Sequence, residues 1–288
     1  MYISYLTDKS IKMKKFYVSL LLGIGMMCSY SSTQAQILKN IGKKIEKKVE
    51  RAVDKTISHE SKTSDKDSKN NKQQSVTGPF KNIPAMSYDF KAGSKILFFD
   101  DFSEENPGAM ASKWTSNGNG EIAVAEGFDG QWLKLYHKNT YKIKELVRIP
   151  ENFTLEFDLL TLADNKDGIR INFGFEHQKG VSKYNPLANQ NPINFEASYR
   201  FDEFRITSKE VHPDKRSEIK SDMSYFVNDV MKVKIRVQAD RMSAYIGEYK
   251  ILDTEMVDPL TKKYFYIGVE NKNNLGDIYL GNVKITEL

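Results

Sequence analysis

The fold of this chain is decided by the stretch from Met231 to Asp253, which reads MKVKIRVQADRMSAYIGEYKILD. In its first eight residues apolar side chains alternate with charged or polar ones, and this period of two gives a β-strand one apolar and one polar face. Residues 239–241 form a turn, and the alternation resumes on a returning strand over 242–246. A second turn at Gly247–Glu248 leads into 249–252. The stretch therefore predicts a β-hairpin whose second strand turns again into a further strand.

The same style of sequence continues through the rest of the chain beyond Phe80. The segments that alternate, or that are short and apolar, are Lys95–Phe99, Glu121–Ala125, Gln131–Tyr136, Phe153–Leu159, Ile169–Glu176, Phe195–Phe201, Tyr264–Glu270 and Asp277–Thr286. Turns rich in Gly, Asn and Asp separate them, and no long helical period follows Ile57. The pattern predicts an all-β fold, a two-sheet antiparallel jelly-roll sandwich over residues 80–288. The longest break, 177–193, is expected to be a functional or a disordered loop.

Residues 1–35 have the pattern of a signal peptide. Met13–Lys15 is a basic region, Phe16–Met27 is apolar, and Thr33–Ala35 is a small-residue cleavage site. A membrane anchor is the alternative, but the apolar run is too short for one. We expect export, with a mature chain that begins at Gln36 and works in the periplasm, at the outer membrane or outside the cell.

Two polar segments follow the predicted signal peptide. Over 36–57 aliphatic residues recur every four positions, at Ile41, Ile45, Val49, Val53 and Ile57, and charged residues fill the other face. This predicts an amphipathic helix. It either meets an anionic membrane surface or an envelope protein, or serves as a solvated or self-associating spacer. Residues 58–79 lack aromatic side chains and are predicted to be a disordered linker.

Charge and cysteine content exclude several classes of function. The whole chain carries a formal net charge of +5, of which 1–35 contribute +3 and 36–79 contribute +5, so the difference of −3 is left for residues 80–288. The basic character belongs to the N-terminal arm, and a nucleic-acid partner is not expected. The only cysteine, Cys28, lies in the predicted signal peptide, so no disulfide or thiolate metal site is expected in the mature chain.

From Tyr88 onward the chain resembles a known family in five segments. They read YDF at 88–90, ILFFDDFS at 96–103, KW at 113–114, GQWLKL at 130–135 and PENFTLEFD at 150–158. They resemble the concanavalin-like, LamG-type jelly-roll domain that precedes the OmpA peptidoglycan-binding domain in envelope proteins of Bacteroidetes. The resemblance covers about residues 36–288 and implies the fold and an envelope location. The sequence runs to Leu288 without an OmpA domain, so peptidoglycan binding is not carried over, and the family supplies no settled ligand.

One short motif points to hydrolysis. Glu156-Phe157-Asp158 resembles the catalytic strand of laminarinase-type hydrolases, in which Glu-x-Asp-x-x-Glu supplies a nucleophile and an acid/base about 5 Å apart. Here the last position is Thr161, which cannot protonate a leaving group at neutral pH. We therefore expect no glycosidase activity by this route, and we expect Glu156 and Asp158 to pair with Arg170 or Arg200 on neighbouring strands.

Three aspartates are candidates for a structural calcium site. Asp100, Asp101 and Asp277 lie near the two ends of the predicted sandwich, which often meet, and calcium prefers oxygen ligands. The alternative is that they are turn residues in water. The four histidines lack ligand spacing, so no zinc site and no cofactor other than calcium is expected. Trp114 and Trp132 are read as core residues rather than sugar-stacking platforms.

A polar sheet face with the long loop at its rim is the candidate ligand-binding surface. Its predicted residues are Arg170, Asn172, Glu176, Tyr184, Asn185, Glu196, Ser198 and Arg200. Planar donors, carboxylate acceptors and an aromatic edge suit a hydroxyl-rich ligand. The alternative is a solvated face with ion pairs of little energetic value. The basic ladder of the hairpin, Lys232, Lys234 and Arg236, has no acceptor and is not expected to orient a neutral sugar.

These observations leave three classes of function open. The favoured class is a non-catalytic, exported cell-envelope module that binds carbohydrate. The second is a structural envelope or assembly protein that acts through the predicted helix at 36–57. The third, and least favoured, is a glycoside hydrolase.

Overall fold

The structure is a computed structural model that describes residues 78–80, 88–145, 149–181 and 191–288. These residues belong to one compact unit, Gln73–Leu288. The predicted signal peptide, amphipathic helix and most of the linker lie outside the described residues, as do Tyr184 and Asn185. Among the described residues no helix is long and apolar enough to cross a membrane.

The described chain is built almost entirely from strands. They are β1 Lys95–Asp100, β2 Trp114–Ser116, β3 Gly120–Ala123, β4 Trp132–Leu135, β5 Asn139–Ile143, β6 Phe153–Ala163, β7 Ile169–Glu176, β8 Ile193–Ser198, β9 Glu203–Ser208, β10 Lys215–Lys220, β11 Asp229–Gln238, β12 Arg241–Ile246, β13 Tyr249–Glu255, β14 Tyr264–Asn271 and β15 Gly276–Glu287. Two short 3₁₀ turns, Met223–Phe226 and Lys272–Asn274, are the only helical segments in this part of the chain.

The strands form two antiparallel sheets. Sheet A has the order β13-β12-β11-β6-β15-β4-β3, and β1 also pairs with β15. Sheet B has the order β10-β9-β8-β7-β14-β5-β2. The predicted two-sheet antiparallel sandwich is confirmed. Because β6 lies in sheet A and β7 in sheet B, the two consecutive strands are not neighbours in either sheet.

The stretch that predicted the fold forms three adjacent strands of sheet A. β11 pairs with β12 from Val233–Ile246 to Gln238–Arg241, and Ala239 takes a positive φ of 52° in the turn. Alternate residues of β11 from Met231 to Val237 are buried, as the period of two predicts. On its other side β11 pairs with β6 without any irregularity in register.

Aromatic side chains from the inner faces of both sheets fill the core. The Phe157 ring lies 5.1 Å from the Phe173 ring across the sandwich, and Phe173 stacks on Phe195 at 5.0 Å. Such pairs contribute about 0.5–1.5 kcal/mol each beyond the area they bury. Trp114 is buried in this core, as predicted. Trp132 is also buried, but it lies in a separate small cluster with Leu160 and Tyr279 on the outer face of sheet A.

Candidate functional site

The predicted polar face is the outer face of sheet B. β7 pairs with β8 so that Arg170 lies opposite Ser198 and Asn172 lies opposite Glu196. The alternate residues Ile171 and Phe173 belong to the core, so these four polar side chains lie on the side away from it. Four of the eight predicted residues therefore share one surface.

The centre of this face is closed. Asn172 is fully buried and Glu196 is 4% exposed. Arg205 on β9 donates hydrogen bonds to Glu196 at 3.0 Å and to Glu203 at 2.7 Å, and a third to Glu218 on β10. Burial lowers the pKa of the Arg205 guanidinium, but the hydrogen bond to Glu218 and the nearby carboxylates outweigh it and raise the pKa above its usual value. The central rows thus hold the sheet together and do not present free groups to a ligand.

A pocket of about 100 Å³ opens at one end of the same face, where three loops meet; we call it the loop pocket. The loops join β6 to β7, β8 to β9 and β14 to β15. Its lining residues are Asp167, Gly168, Ile169, Arg170, Ser198, Arg200, Phe201, Glu270 and Lys272. Three of the predicted site residues, Arg170, Ser198 and Arg200, therefore line one pocket.

The turn between β8 and β9 is fixed at both ends. Tyr199 is fully buried, and its hydroxyl lies 2.9 Å from Thr161 Oγ1 in the core. Burial raises the pKa of Tyr199 to about 12. On the other side Asp202 takes a positive φ, forms an ion pair with Lys166 and accepts a hydrogen bond from the Met223 amide. Between these two anchors, the Arg200 and Phe201 side chains point to solvent.

The polar groups of the loop pocket form a short network beside an exposed ring. The Arg170 guanidinium donates to Glu270 at 3.0 Å and lies 3.6 Å from Glu196. Lys272 Nζ lies 3.8 Å from Glu270. Phe201 is 51% exposed, and the Arg200 guanidinium lies 5.6 Å from the centre of its ring. The pocket thus combines cationic donors, carboxylates and an aromatic face.

The sequence did not predict three residues of this pocket, Phe201, Glu270 and Lys272. Phe201 was assigned to an alternating strand, whereas β8 ends at Ser198 and Phe201 lies in the turn. Glu270 and Lys272 were not selected, because only the pairing of β14 with β7 brings Glu270 opposite Arg170. The one sequence feature that could have indicated Phe201 as a site residue is the pair Arg200–Phe201 directly before Asp202.

Glu176 does not belong to the loop pocket. It lies at the far end of β7, six residues and about 20 Å from Arg170. There it forms an ion pair with Lys142, which is itself buried and also donates to the Gln178 carbonyl at 2.8 Å. Tyr184 and Asn185, predicted to complete the site, lie outside the described residues.

The three aspartates of the predicted calcium site are not brought together. Asp100 lies opposite Val283, whereas Asp277 lies six residues back along β15, about 20 Å away. Asp277 pairs with Lys134 at 2.9 Å. β1 and β15, the first and last strands of the described residues, do pair, but over residues 283–287, at the other end of β15 from Asp277.

The two neighbouring aspartates of that prediction are already engaged. Asp100 is buried and accepts from Trp114 Nε1 at 2.9 Å, and Lys113 lies 3.2 Å away. The Ser103 hydroxyl and amide bind Asp101 and lower its pKa. In the described ranges no group of three or more His, Cys, Asp or Glu residues is arranged to hold a metal ion. These residues do not fit a shared calcium ion.

The residues of the laminarinase-like motif lie on two opposite faces of β6. Because β6 runs without a bulge against β11, Glu156 and Asp158 lie on the outer face of sheet A. Thr161 lies on the inner face, where it contacts Tyr199. The expected pairing of the two carboxylates with Arg170 or Arg200 is wrong, since Arg170 lies on sheet B and Arg200 in the turn between its strands β8 and β9. Glu156 instead lies between Lys234 and Lys284, and Asp158 accepts a hydrogen bond from Asn282 at 2.8 Å.

The segment Tyr88–Gly93, which we call the strap, packs on the part of the hairpin's polar face around Lys234 and Tyr245. Lys234 Nζ lies 5.0 Å and 5.1 Å from the ring centres of Tyr88 and Phe90, and both rings pack edge-on against Tyr245. Asp89 accepts from the Tyr245 hydroxyl at 2.7 Å and from the nearly buried Lys250 at 2.6 Å. The ladder was predicted to lack an acceptor, but Lys234 donates a hydrogen bond to the Tyr88 hydroxyl of the strap and lies opposite Glu156 of β6.

Comparison with solved structures adds to the description of the fold. The carbohydrate recognition domain of Emp47p has a TM-score of 0.50 and 12% identity, and the match covers 69% of this chain and 99% of that one. The exoplasmic/lumenal domain of VIP36, in its Ca²⁺/Man3GlcNAc-bound form, has a TM-score of 0.47 and 10% identity over 61% and 84% of the two chains. The GH16 protein of the Bacteroides ovatus mixed linkage glucan PUL, in complex with a G4G4G3G product, has a TM-score of 0.47 and 12% identity. The match covers 66% of this chain and 100% of that one.

The similarity to the Emp47p domain, at a TM-score of 0.50, bears on the fold alone. The described residues form a concanavalin-like jelly-roll sandwich, as the sequence predicted. No protein-family model matches the sequence, and no curated protein matches it.

Proposed function

We propose that the protein is an exported, non-catalytic module of the cell envelope that binds carbohydrate at the loop pocket. The observation that carries this proposal is the combination, in one opening, of a half-exposed aromatic ring with guanidinium groups and carboxylates. The similarity in fold to the carbohydrate recognition domain of Emp47p agrees with it. That likeness supports the jelly-roll fold, and the pocket supports the class of ligand.

The chemistry of the pocket matches that of a sugar. A pyranose ring has an apolar C–H face that packs on an aromatic ring, and its hydroxyls both donate and accept hydrogen bonds. Phe201 would take the apolar face, Arg170 would donate to hydroxyl oxygens, and Glu270 would accept from a hydroxyl. A pocket of about 100 Å³ is smaller than the roughly 300–1,000 Å³ that encloses a drug-sized ligand. The ligand would therefore engage it with one residue of a longer chain.

The pocket is also held in place before any ligand arrives. Arg170 and Ser198 lie on paired strands, and the Arg200–Phe201 turn is anchored on both sides by Tyr199 and Asp202. A site on rigid elements loses little conformational entropy on binding, so even a small contact area gives measurable affinity.

A glycan array with the full chain tests this function. We expect binding to one class of glycan, and we expect Phe201→Ala to abolish it. Phe99→Ala is the matched control, because Phe99 is 47% exposed on β1 of the other sheet. Binding that Phe99→Ala removes and Phe201→Ala preserves would move the site. Failure to bind any glycan would overturn the function and favour an assembly role for residues 36–57.

Export is supported by the N-terminal sequence pattern. The proposal places the mature start at Gln36 and the protein in the periplasm or at the outer surface. N-terminal sequencing of the protein recovered from its native compartment checks this. A chain that still begins at Met1 would contradict it.

A further inference from the structure

We propose that the loop pocket selects an acidic sugar, with Arg200 binding the carboxylate of a uronic or related sugar acid. This inference rests on the proposed function and goes further by naming the chemical class of the ligand. It is carried by the balance of charge in the pocket and by the position of Arg200 beside an exposed ring.

The loop pocket has more cations than carboxylates. Arg170, Arg200 and Lys272 line it, against Asp167 and Glu270. This local excess is opposite in sign to the net charge of −3 on residues 80–288. A pocket of one sign in a surface of the other raises the local concentration of oppositely charged ligands, which here are anions.

The ion pairs within the loop pocket show which of its cations has no carboxylate partner among the described residues. Glu270 accepts from Arg170 at 3.0 Å and lies near Lys272, and Arg170 also lies 3.6 Å from Glu196. Arg200 forms no ion pair with any residue that the structure describes; its one contact there is with the Phe201 ring. Its guanidinium is exposed and has five N–H donors, none bound to a described carboxylate.

The pairing of Arg200 with Phe201 suits a carboxylate attached directly to a sugar ring. A guanidinium binds a carboxylate with two parallel hydrogen bonds, and stacking beside a ring leaves those edge donors free. Half of the Phe201 ring stays open to the C–H face of the same sugar. In a uronic acid the carboxylate and the apolar face belong to one pyranose, so both contacts fall within a single residue. A neutral sugar would offer Arg200 only hydroxyl oxygens and would lack the charge-assisted pair of hydrogen bonds that a carboxylate forms.

Matched pairs of glycans test the inference on the full chain. Oligosaccharides of galacturonate, glucuronate, mannuronate and sialic acid would be titrated calorimetrically beside their carboxyl-reduced or desialylated forms, with a sulfated neutral oligosaccharide as a second anion. We expect at least one acid to bind about tenfold or more tightly than its neutral form, as a charge-assisted bidentate contact predicts. The difference should shrink as salt concentration rises.

Variants assign the effect to Arg200. Arg200→Gln should remove the preference for the acid. Arg200→Lys keeps the charge but loses the planar pair of N–H donors, so it should retain only part of the preference. Arg241→Gln is the control, because that arginine is similarly exposed but lies on sheet A in an ion pair with Asp253. It should leave the preference unchanged.

The outcomes separate the two proposals. If neutral glycans bind as tightly as acids, or if Arg200→Gln leaves the preference intact, the inference is wrong and the carbohydrate function stands. Equal affinity for the sulfated sugar would also overturn carboxylate selection. If no glycan binds, the proposed function fails and the inference fails with it.

Discussion

The outer faces of the two sheets look alike in sequence and differ in the structure. On both, polar side chains alternate with apolar ones, at Lys232, Lys234 and Arg236 of β11 and at Arg170, Asn172 and Glu176 of β7. On sheet A the strap lies over the hairpin, with Tyr88, Phe90 and Lys234 in contact. On sheet B the central rows are joined by Arg205 and its carboxylate partners, and one end opens into the loop pocket. A polar period of two therefore does not reveal whether a face is free, since the cover comes from distant parts of the chain.

The largest expected effect concerns the strap. Tyr245 is 1% exposed beneath it, so Tyr245→Ala removes a buried ring and the hydroxyl that binds Asp89. We expect the free energy of unfolding to fall by about 3–5 kcal/mol, as for other buried aromatic truncations. Urea denaturation measures this. Tyr225→Ala, at an exposed tyrosine, is the control and should cost less than about 0.5 kcal/mol. Equal costs would mean that the strap does not stabilise sheet A.

The corresponding test on sheet B removes the centre of its ion network. Arg205→Ala leaves the nearly buried Glu196 and Glu203 without their shared donor, and hydrogen bonds to charged groups are worth about 1.5–3 kcal/mol. We expect a loss of stability in that range by the same denaturation assay. Arg216→Ala is the matched control, since Arg216 binds the same Glu218 from an exposed position, and it should cost about 0–1 kcal/mol. If the two variants lose equal stability, burial of the network is unimportant.

The pH dependence of the melting temperature tests the contact between the strap and sheet A. Hydrogen bonds from Lys250 and then Tyr245 lower the pKa of Asp89 below its usual 3.8. A carboxylate with a depressed pKa in the folded state stabilises the fold above its unfolded pKa of about 4, and this stabilisation is lost as pH falls through the folded pKa.

We therefore expect the wild-type melting temperature to fall more steeply below about pH 4 than that of Asp89→Asn. Thermal melts over an acid pH series provide the comparison. Asp164→Asn, on an exposed turn, should follow the wild type. Parallel curves for wild type and Asp89→Asn would show that the strap does not depend on this carboxylate.

The smallest expected effect is that of Lys234→Ala. It removes a cation from above the rings of Tyr88 and Phe90, a contact worth about 0.5–1 kcal/mol at a partly exposed site. Stability should fall by about that amount, and binding of any glycan found should not change. If Lys234→Ala abolishes binding while Phe201→Ala has no effect, the ligand uses the face of sheet A.

The strands that the sequence predicted and those that it missed differ in one respect. β6, β7, β11 and β14 each place several large apolar residues in the core, and their alternation is visible without any partner. β2, β5, β9 and β10 were not predicted. They are short or have few apolar residues; β10, for example, reads KRSEIK at the edge of sheet B. Their strand conformation is fixed by pairing with a neighbour, which a local pattern does not contain.

The residues of the loop pocket likewise divide into those that the sequence predicted and those that only strand pairing brings to the pocket. Arg170 and Ser198 were predicted because they lie on the polar side of two recognisable strands, and Arg200 because the alternation continues past the end of β8 into the turn. Glu270 and Lys272 reach the pocket only through the register of β14, about 70 residues further along the chain from Arg200. The aspartates of the predicted calcium site failed for a related reason, since β15 is long enough to hold Asp277 far from Asp100.

The sequence by itself determined that these residues form a β-sandwich, because the alternation of apolar and polar side chains is a local property that any pairing must satisfy. It also determined which side chains are polar and point away from the core. Only the tertiary structure decided which polar face is covered by the strap, which is closed by its own ion pairs and where a pocket opens. Those outcomes depend on sheet order, on strand register and on the crossing of the chain between sheets. All three bring together residues far apart in sequence, and the free energy that selects them appears only when the partners meet.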